Sequence, residues 1–459
     1  MAAASRSRRF AATPAAKTAA PRPRPGTQTS KPPLAKAGAP PAPATVAPMA
    51  SSASPDVVGP AHVGVISFLA ARAAPTGGFW IALAGGVALA HVAERRGARL
   101  GFGASAAAML ETVAIIGPAR FGVPLTQALT APMLGRLHAR GVGFWPQLAA
   151  CALVRLLHNA ATTAFFVWVI AGGLDAYAGT YDAIGRRVGI EVGTADAVVL
   201  TLATLLAWAV FASTVQVLVY RRGLRTWNDS IEGEPERRWS GTVAENATNP
   251  HHRGRFDPRA VTLSAAVAFA LLLGSTEWAF LGAMAAWLAG AWLLSRADPA
   301  PVRAGAAFAA ILAAGAFVFA LGGGLGLDAA LRRALRAALL VLAATWLRAA
   351  AGSAGLREVS RRALRRVRRI PGAPEASSVL DGIESEGRLV AAARALTARL
   401  GETRKHPREL LDAVLAWVVR ESASFVPAPP APALPLDARA VDCALIATAC
   451  VPFLAIGLG

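Results

Sequence analysis

Residues 356–370 read LREVSRRALRRVRRI, and the fold turns on what this stretch borders. On a helix advancing about 100° per residue, Arg357, Arg361, Arg362, Arg365, Arg366, Arg368 and Arg369 share one side, and Leu356, Val359, Ala363, Val367 and Ile370 share the other. The apolar stripe suits a bilayer interface or the feet of neighbouring spans, while the guanidinium side suits anionic headgroups or acidic grooves on a protein partner. A hydrophobic run precedes the stretch and a polar region follows it, so its plainest role is a positive-inside anchor at the edge of a membrane domain.

Composition agrees with that placement. The chain has 459 residues, 54% of them hydrophobic, in repeated apolar runs of span length. This predicts an all-α polytopic membrane protein with about 10–11 transmembrane helices plus amphipathic cytoplasmic helices. The net charge of +20 sits mainly in an N-terminal tail and in short connections, which points to membrane topology rather than nucleic acid. Cys151, Cys443 and Cys450 have neither CxxC nor metal-ligand spacing, so no disulfide framework, metal site or cofactor is indicated.

Residues 1–56 form a basic Ala/Pro-rich tail with no acidic residue before Asp56, a composition expected to be disordered. Arg8 and Arg9 lack the apolar core of a targeting signal, which favours a cytoplasmic tail. In residues 57–220 the apolar runs suggest about six spans, near 57–72, 78–92, 101–119, 121–134, 144–174 and 195–220. The basic connections, Arg95, Arg96 and Arg99, then Arg136, His138 and Arg140, then Arg221, Arg222 and Arg225, fall on one side under this count, expected to be cytoplasmic. Polar residues within spans are costly and therefore candidates for function: Glu111, Arg120, Gln127, Arg155, His158, Asn159 and Gln216. Arg155, His158 and Asn159 share one helical face, suited either to interhelical hydrogen bonds or to a substrate pocket. Glu111 and His158 have no evident partner in the sequence, and prolines at Pro118 and Pro124 bracket a break that would line a pocket.

Residues 221–255 read as a cytoplasmic linker carrying a sequon at Asn246 and a solvated His251–His252 pair. In residues 256–459, Asp257 is placed to cap a helix with Pro258 in its first turn. Spans are expected near 260–273, 276–294, 304–321 and 329–346. The arginine helix follows, then a charged helix over 377–400, an amphipathic segment over 407–420 and a closing span over 440–458.

This order of features resembles the transmembrane T component of energy-coupling factor transporters, the CbiQ-like family. The resemblance covers residues 256–458: Asp257-Pro258-Arg259 opens the first span, residues 355–369 stand where the coupling region begins, and Asp437-Ala438-Arg439 leads into the closing span. It implies a T-component-like domain with cytoplasmic coupling helices at about 353–420, ATP-binding cassette ATPase subunits as partners, and an S component that captures a vitamin or transition-metal ion. Residues 57–220 are then expected to be S-component-like, with Glu111, Arg155, His158 and Asn159 as substrate-binding candidates. The family's coupling helices end in Ala-Arg-Gly; here Ala398-Arg399-Leu400-Gly401 offers one such place. Arg399, with Arg361, Arg362, Arg365, Arg366 and Arg369, is thus a candidate ATPase contact in the plasma membrane. No HExxH, GxSxG or Walker A sequence is present, so ATP hydrolysis is assigned to partner subunits and the chain itself is not read as an enzyme. The alternative is a membrane-organising protein whose arginine helix binds anionic lipid or another acidic partner.

Overall fold

Alanine and leucine, both strong helix formers, fill the apolar runs, and Gly or Pro marks most breaks between them. In the computed structural model every regular element among the described residues is helical. Those residues are 54–74, 77–120, 123–187, 189–230, 255–295, 299–401, 406–427, 434 and 436–454. The expected disordered tail, the sequon and the His251–His252 pair lie outside them, as does most of the expected linker.

The order is α1 (Pro55–Ala73), α2 (Gly78–Arg96), α3 (Ala98–Ile116), a 3-10 turn (Pro118–Arg120), α4 (Val123–Ala139), α5 (Phe144–Phe165), a π-helical turn (Phe166–Ala171), α6 (Leu174–Arg187) and α7 (Thr194–Ser230). After the linker come α8 (Pro258–Gly274), α9 (Trp278–Ser295), α10 (Pro299–Gly322), α11 (Gly326–Arg366), α12 (Ala373–Gly382), α13 (Glu386–Arg399), α14 (Pro407–Ser424), α15 (Ala440–Ala449) and α16 (Val451–Leu454). Six described helices are long and apolar enough to cross a membrane: α3, α5 with its π-helical turn, α7, α9, α10 and α11. Helix α8 and the α15–α16 segment are shorter apolar pieces. The chain is an all-α polytopic membrane protein.

Helices α1 and α2 are not among the six, although spans were expected there. Every residue from Val57 to Ala70 and from Ile81 to Ala93 is buried within the protein. A helix that is apolar on all sides must be covered on all sides. The cover comes from α3, α4, the second half of α7 and α12–α14, all sharing one core. Gly382 of α12 lies against Val58, Leu410 of α14 lies against Gly77, and Phe425, just past α14, packs on His62 with ring centroids 4.4 Å apart.

Surface chemistry divides the molecule accordingly. Leu153, Leu157, Val199, Leu206, Phe211, Leu293, Ile311 and Val318 are exposed on α5, α7, α9 and α10, forming an apolar belt fit for lipid. None of the large exposed apolar side chains belongs to α1, α2, α12, α13 or α14. A second core, built from α8, α9, α11 and α15 around Phe280, Leu281, Met284 and Trp346, lies within the belt. Asp257 caps α8 as its sequence position predicts, accepting from the Arg259 backbone N–H at 2.8 Å. Asp442 of α15 accepts from the Asp257 N–H at 2.8 Å, so the start of α8 and the start of α15 are hooked together.

Two local expectations change. The arginine stretch is helical only to Arg366, leaving Val367 43% and Ile370 57% exposed in the following turn, and α11 is broken ahead of it at Gly352 (φ 67°, ψ 163°). Pro371 disfavours helical geometry at Ile370, and Gly372 (φ 92°) reverses the chain. The helix expected over 377–400 is two helices, α12 and α13. The basic connections do gather at one end: Glu94 of α2 lies 3.7 Å from His138 of α4, and Arg95 donates to Asn228 of α7 at 3.2 Å.

Close crossing of α2 and α4 depends on Gly135, where an added Cβ would lie 1.9 Å from the Ala90 carbonyl oxygen. Gly135→Ala should lower stability by about 1–3 kcal/mol in thermal unfolding of the detergent-solubilised chain. Gly282→Ala, with open space around it, should cost nothing. The grouping of basic ends also sets an orientation: a cysteine at Ser230 should be shielded from an impermeant thiol reagent applied to intact cells, and one at Asp182 should react.

Candidate functional site

Three of the polar positions singled out in the spans meet at the crossing of α4, α5 and α7. Gln216 is fully buried and donates through Nε2 to Gln127 Oε1 at 2.9 Å and to Thr130 Oγ1 at 2.6 Å. Its Oε1 accepts from Arg155 Nη2 at 2.6 Å, and Tyr220 donates to Gln127 Oε1 at 2.7 Å. Small residues make room for this network: a Cβ at Gly86 would strike the Tyr220 hydroxyl. His158 and Asn159 continue the same face of α5 toward a groove of about 410 Å³. Asn159, Thr162 and Phe166 form one wall of the groove, with Trp208 of α7 opposite. Tyr177 and Tyr181 of α6 and Phe319 of α10 also line it. Tyr177 hydroxyl is 2.9 Å from Thr201 Oγ1 and 3.1 Å from the Tyr181 hydroxyl.

Glu111 stands apart from that network. It is 2% exposed and pairs with Arg357 at 3.4 Å, so the partner that the sequence did not reveal comes from the arginine stretch itself. Arg357 also donates to the carbonyls of Leu380, Ile383 and Glu384, fixing the turn between α12 and α13. One turn beyond the Gly352 break, on the membrane side, Arg348 donates to the Ile115 carbonyl at 2.8 Å and to Glu386 at 2.6 Å. The arginine helix thus joins α3 from the first half to α12 and α13 from the second. Nearby His62 lies 3.8 Å from Glu384; burial, together with the positive charge of Arg357, pushes its imidazole down to about 3, so it is neutral.

Three of the six candidate docking arginines, Arg361, Arg362 and Arg365, are occupied internally. Arg361 pairs with Glu358 at 2.5 Å and Asp381 at 3.1 Å. Arg362 pairs with Glu358 at 2.6 Å, and Arg365 with Asp381 at 3.0 Å. Arg366, Arg369 and Arg399 are exposed and make no ion pair among the described residues. The side chain of Arg120 lies outside the described ones.

Sequence reasoning passed over the groove aromatics, although a signal existed: the chain has only 3 tyrosines, and two of them, Tyr177 and Tyr181, stand one helical turn apart on α6. It also passed over Arg333, which donates to the Gly172 carbonyl at 3.0 Å, and Arg336, which donates to the Val169 carbonyl. These two satisfy the end of the π-helical turn, where carbonyls lack intrahelical donors.

Comparison with protein-family models, with curated proteins and with solved structures finds no match for this chain.

Because both members of the Glu111–Arg357 pair are largely buried, losing either should destabilise the protein. Glu111→Leu and Arg357→Met should each lower the unfolding free energy, and the double variant should lose about 0.5–3 kcal/mol less than the sum of the two. Simple additivity in chemical unfolding would show that the pair is not coupled.

Proposed function

We propose that the chain is the membrane scaffold of an energy-coupling factor type importer, linking partner ATPase subunits to capture of a vitamin or transition-metal ion at the plasma membrane. The observation that carries this reading is the junction at Arg348 and Arg357, through which the arginine helix holds α3 on one side and α12–α13 on the other. Force applied to α13 from outside the belt has a direct polar path into the first half, as a coupling subunit requires. The T-component resemblance of residues 256–458 supplies the partner class, and the first half supplies the capture part, S-component-like in this reading. Arg399 is the preferred ATPase contact, since it is exposed at the end of α13 and free to offer a fork of donors to carboxylates and carbonyls.

A second reading has its own support. Arg366, Arg368 and Arg369 are exposed beside Val367 and Ile370 in the turn after α11, a mixture suited to anionic lipid headgroups. Arg399→Ala should sharply reduce co-purification of ATPase subunits, by about 2–5 kcal/mol of interface energy, with normal membrane insertion. Replacing Arg366, Arg368 and Arg369 by Gln should leave that complex intact and weaken only binding to anionic vesicles. A complex indifferent to Arg399→Ala would remove the coupling assignment.

A further inference from the structure

Arg155 is 6% exposed, yet no carboxylate among the described residues pairs with it. Its guanidinium donates through Nη2 to the neutral Gln216, and its Nε has no partner among the described residues. An arginine cannot shed its proton to escape burial, and a buried unpaired charge is strongly unfavourable, so such a residue inside a membrane belt calls for an anion. One turn along the same face of α5, Asn159 lines the groove between α5, α6, α7 and α10, and its Nδ2 is a second buried donor without a partner among the described residues. Helices α5 and α7 run antiparallel here: Arg155 faces Gln216, and the groove beyond Asn159 reaches Trp208 and Leu205. The groove walls carry no charged side chain; they offer aromatic faces and the hydroxyls of threonines and tyrosines.

We infer that the seam from Arg155 through Asn159 to Tyr177 and Trp208 binds a small amphiphilic carboxylate, its acid group on Arg155 and Asn159 and its flat apolar body in the groove. A volume of about 410 Å³ accommodates a ligand of one or two rings. No charged side chain among the described residues lines the groove, so Arg155 is the cation available to the ligand and a single negative charge matches it best. The transport role of this site rests on reading the first half as the capture part, but binding itself needs no ATPase and is tested without one.

The full chain in phosphatidylcholine nanodiscs is titrated with 2-naphthylacetate and with its uncharged methyl ester, followed by quenching of tryptophan fluorescence. The acid should bind saturably and at least tenfold more tightly than the ester. Arg155→Gln should bring the two to equal affinity, and Asn159→Ala should narrow the gap several-fold with the fold undisturbed. Trp208→Leu should weaken both ligands alike. Three results overturn the proposal: no saturable binding of the acid, discrimination between acid and ester that survives both Arg155→Gln and Asn159→Ala, or loss of acid binding when phosphatidylglycerol replaces phosphatidylcholine. The last would give the site to a lipid headgroup. Binding as described together with an Arg399→Ala variant that keeps its ATPases would sink the coupling role and leave the site standing.

Discussion

Helices α1 and α2 have no polar face, and the arrangement of the other helices follows from that fact. Their apolar surface runs around the full circumference, so a single neighbour or a one-sided bundle contact leaves part of it in water. The first half supplies three covering helices, α3, α4 and α7, and the second half adds three more. These are α12–α14, which turn apolar residues such as Leu380, Leu389, Val414 and Val418 inward. Their outward faces carry Arg388, Arg394, Asp412 and Arg420, which suits water. Hydrophobic enclosure therefore binds the two ends of the sequence into one body beside the apolar belt.

Polar contacts then fix the register of that body. Hydrophobic burial is non-directional and tolerates sliding, whereas a guanidinium that reaches several carbonyls and a carboxylate is satisfied in one geometry only. Arg357 and Arg348 do this at the seam between α3 and the α12–α13 turn. The break at Gly352 separates them, so the outer part of α11 takes its direction from these contacts rather than from the membrane part of the same helix. Inside the belt the logic differs: the Gln127, Gln216 and Tyr220 network closes upon itself, and Arg155 is the member left with a donor to spare.

Helical class and most helix positions were legible because long apolar runs bounded by Gly, Pro and charge have few other solutions in a chain of this composition. The Asp257 cap was legible because it depends on adjacent residues alone. Whether an apolar helix meets lipid or protein was not, since Val57–Ala70 reads the same in either setting. Pairings between distant residues were equally hidden: Glu111 looked isolated because its partner Arg357 lies far along the chain. The ion pairs of the arginine face were hidden for a related reason. Periodicity shows which side a residue occupies, and it does not show that Glu358 and Asp381 already take up Arg361, Arg362 and Arg365.

The enclosure of α1 and α2 also bears on how the protein is made. Val58 is synthesised well before the α14 residues that cover its helix, which lie far later in the chain. At a synthesis rate of about 5–20 residues per second, tens of seconds separate the two. Throughout that interval the α1–α2 hairpin keeps apolar surface that the finished fold covers with chain not yet made. Until α12–α14 are made, the apolar surface of this hairpin needs another cover, and the bilayer or a chaperone is the available one.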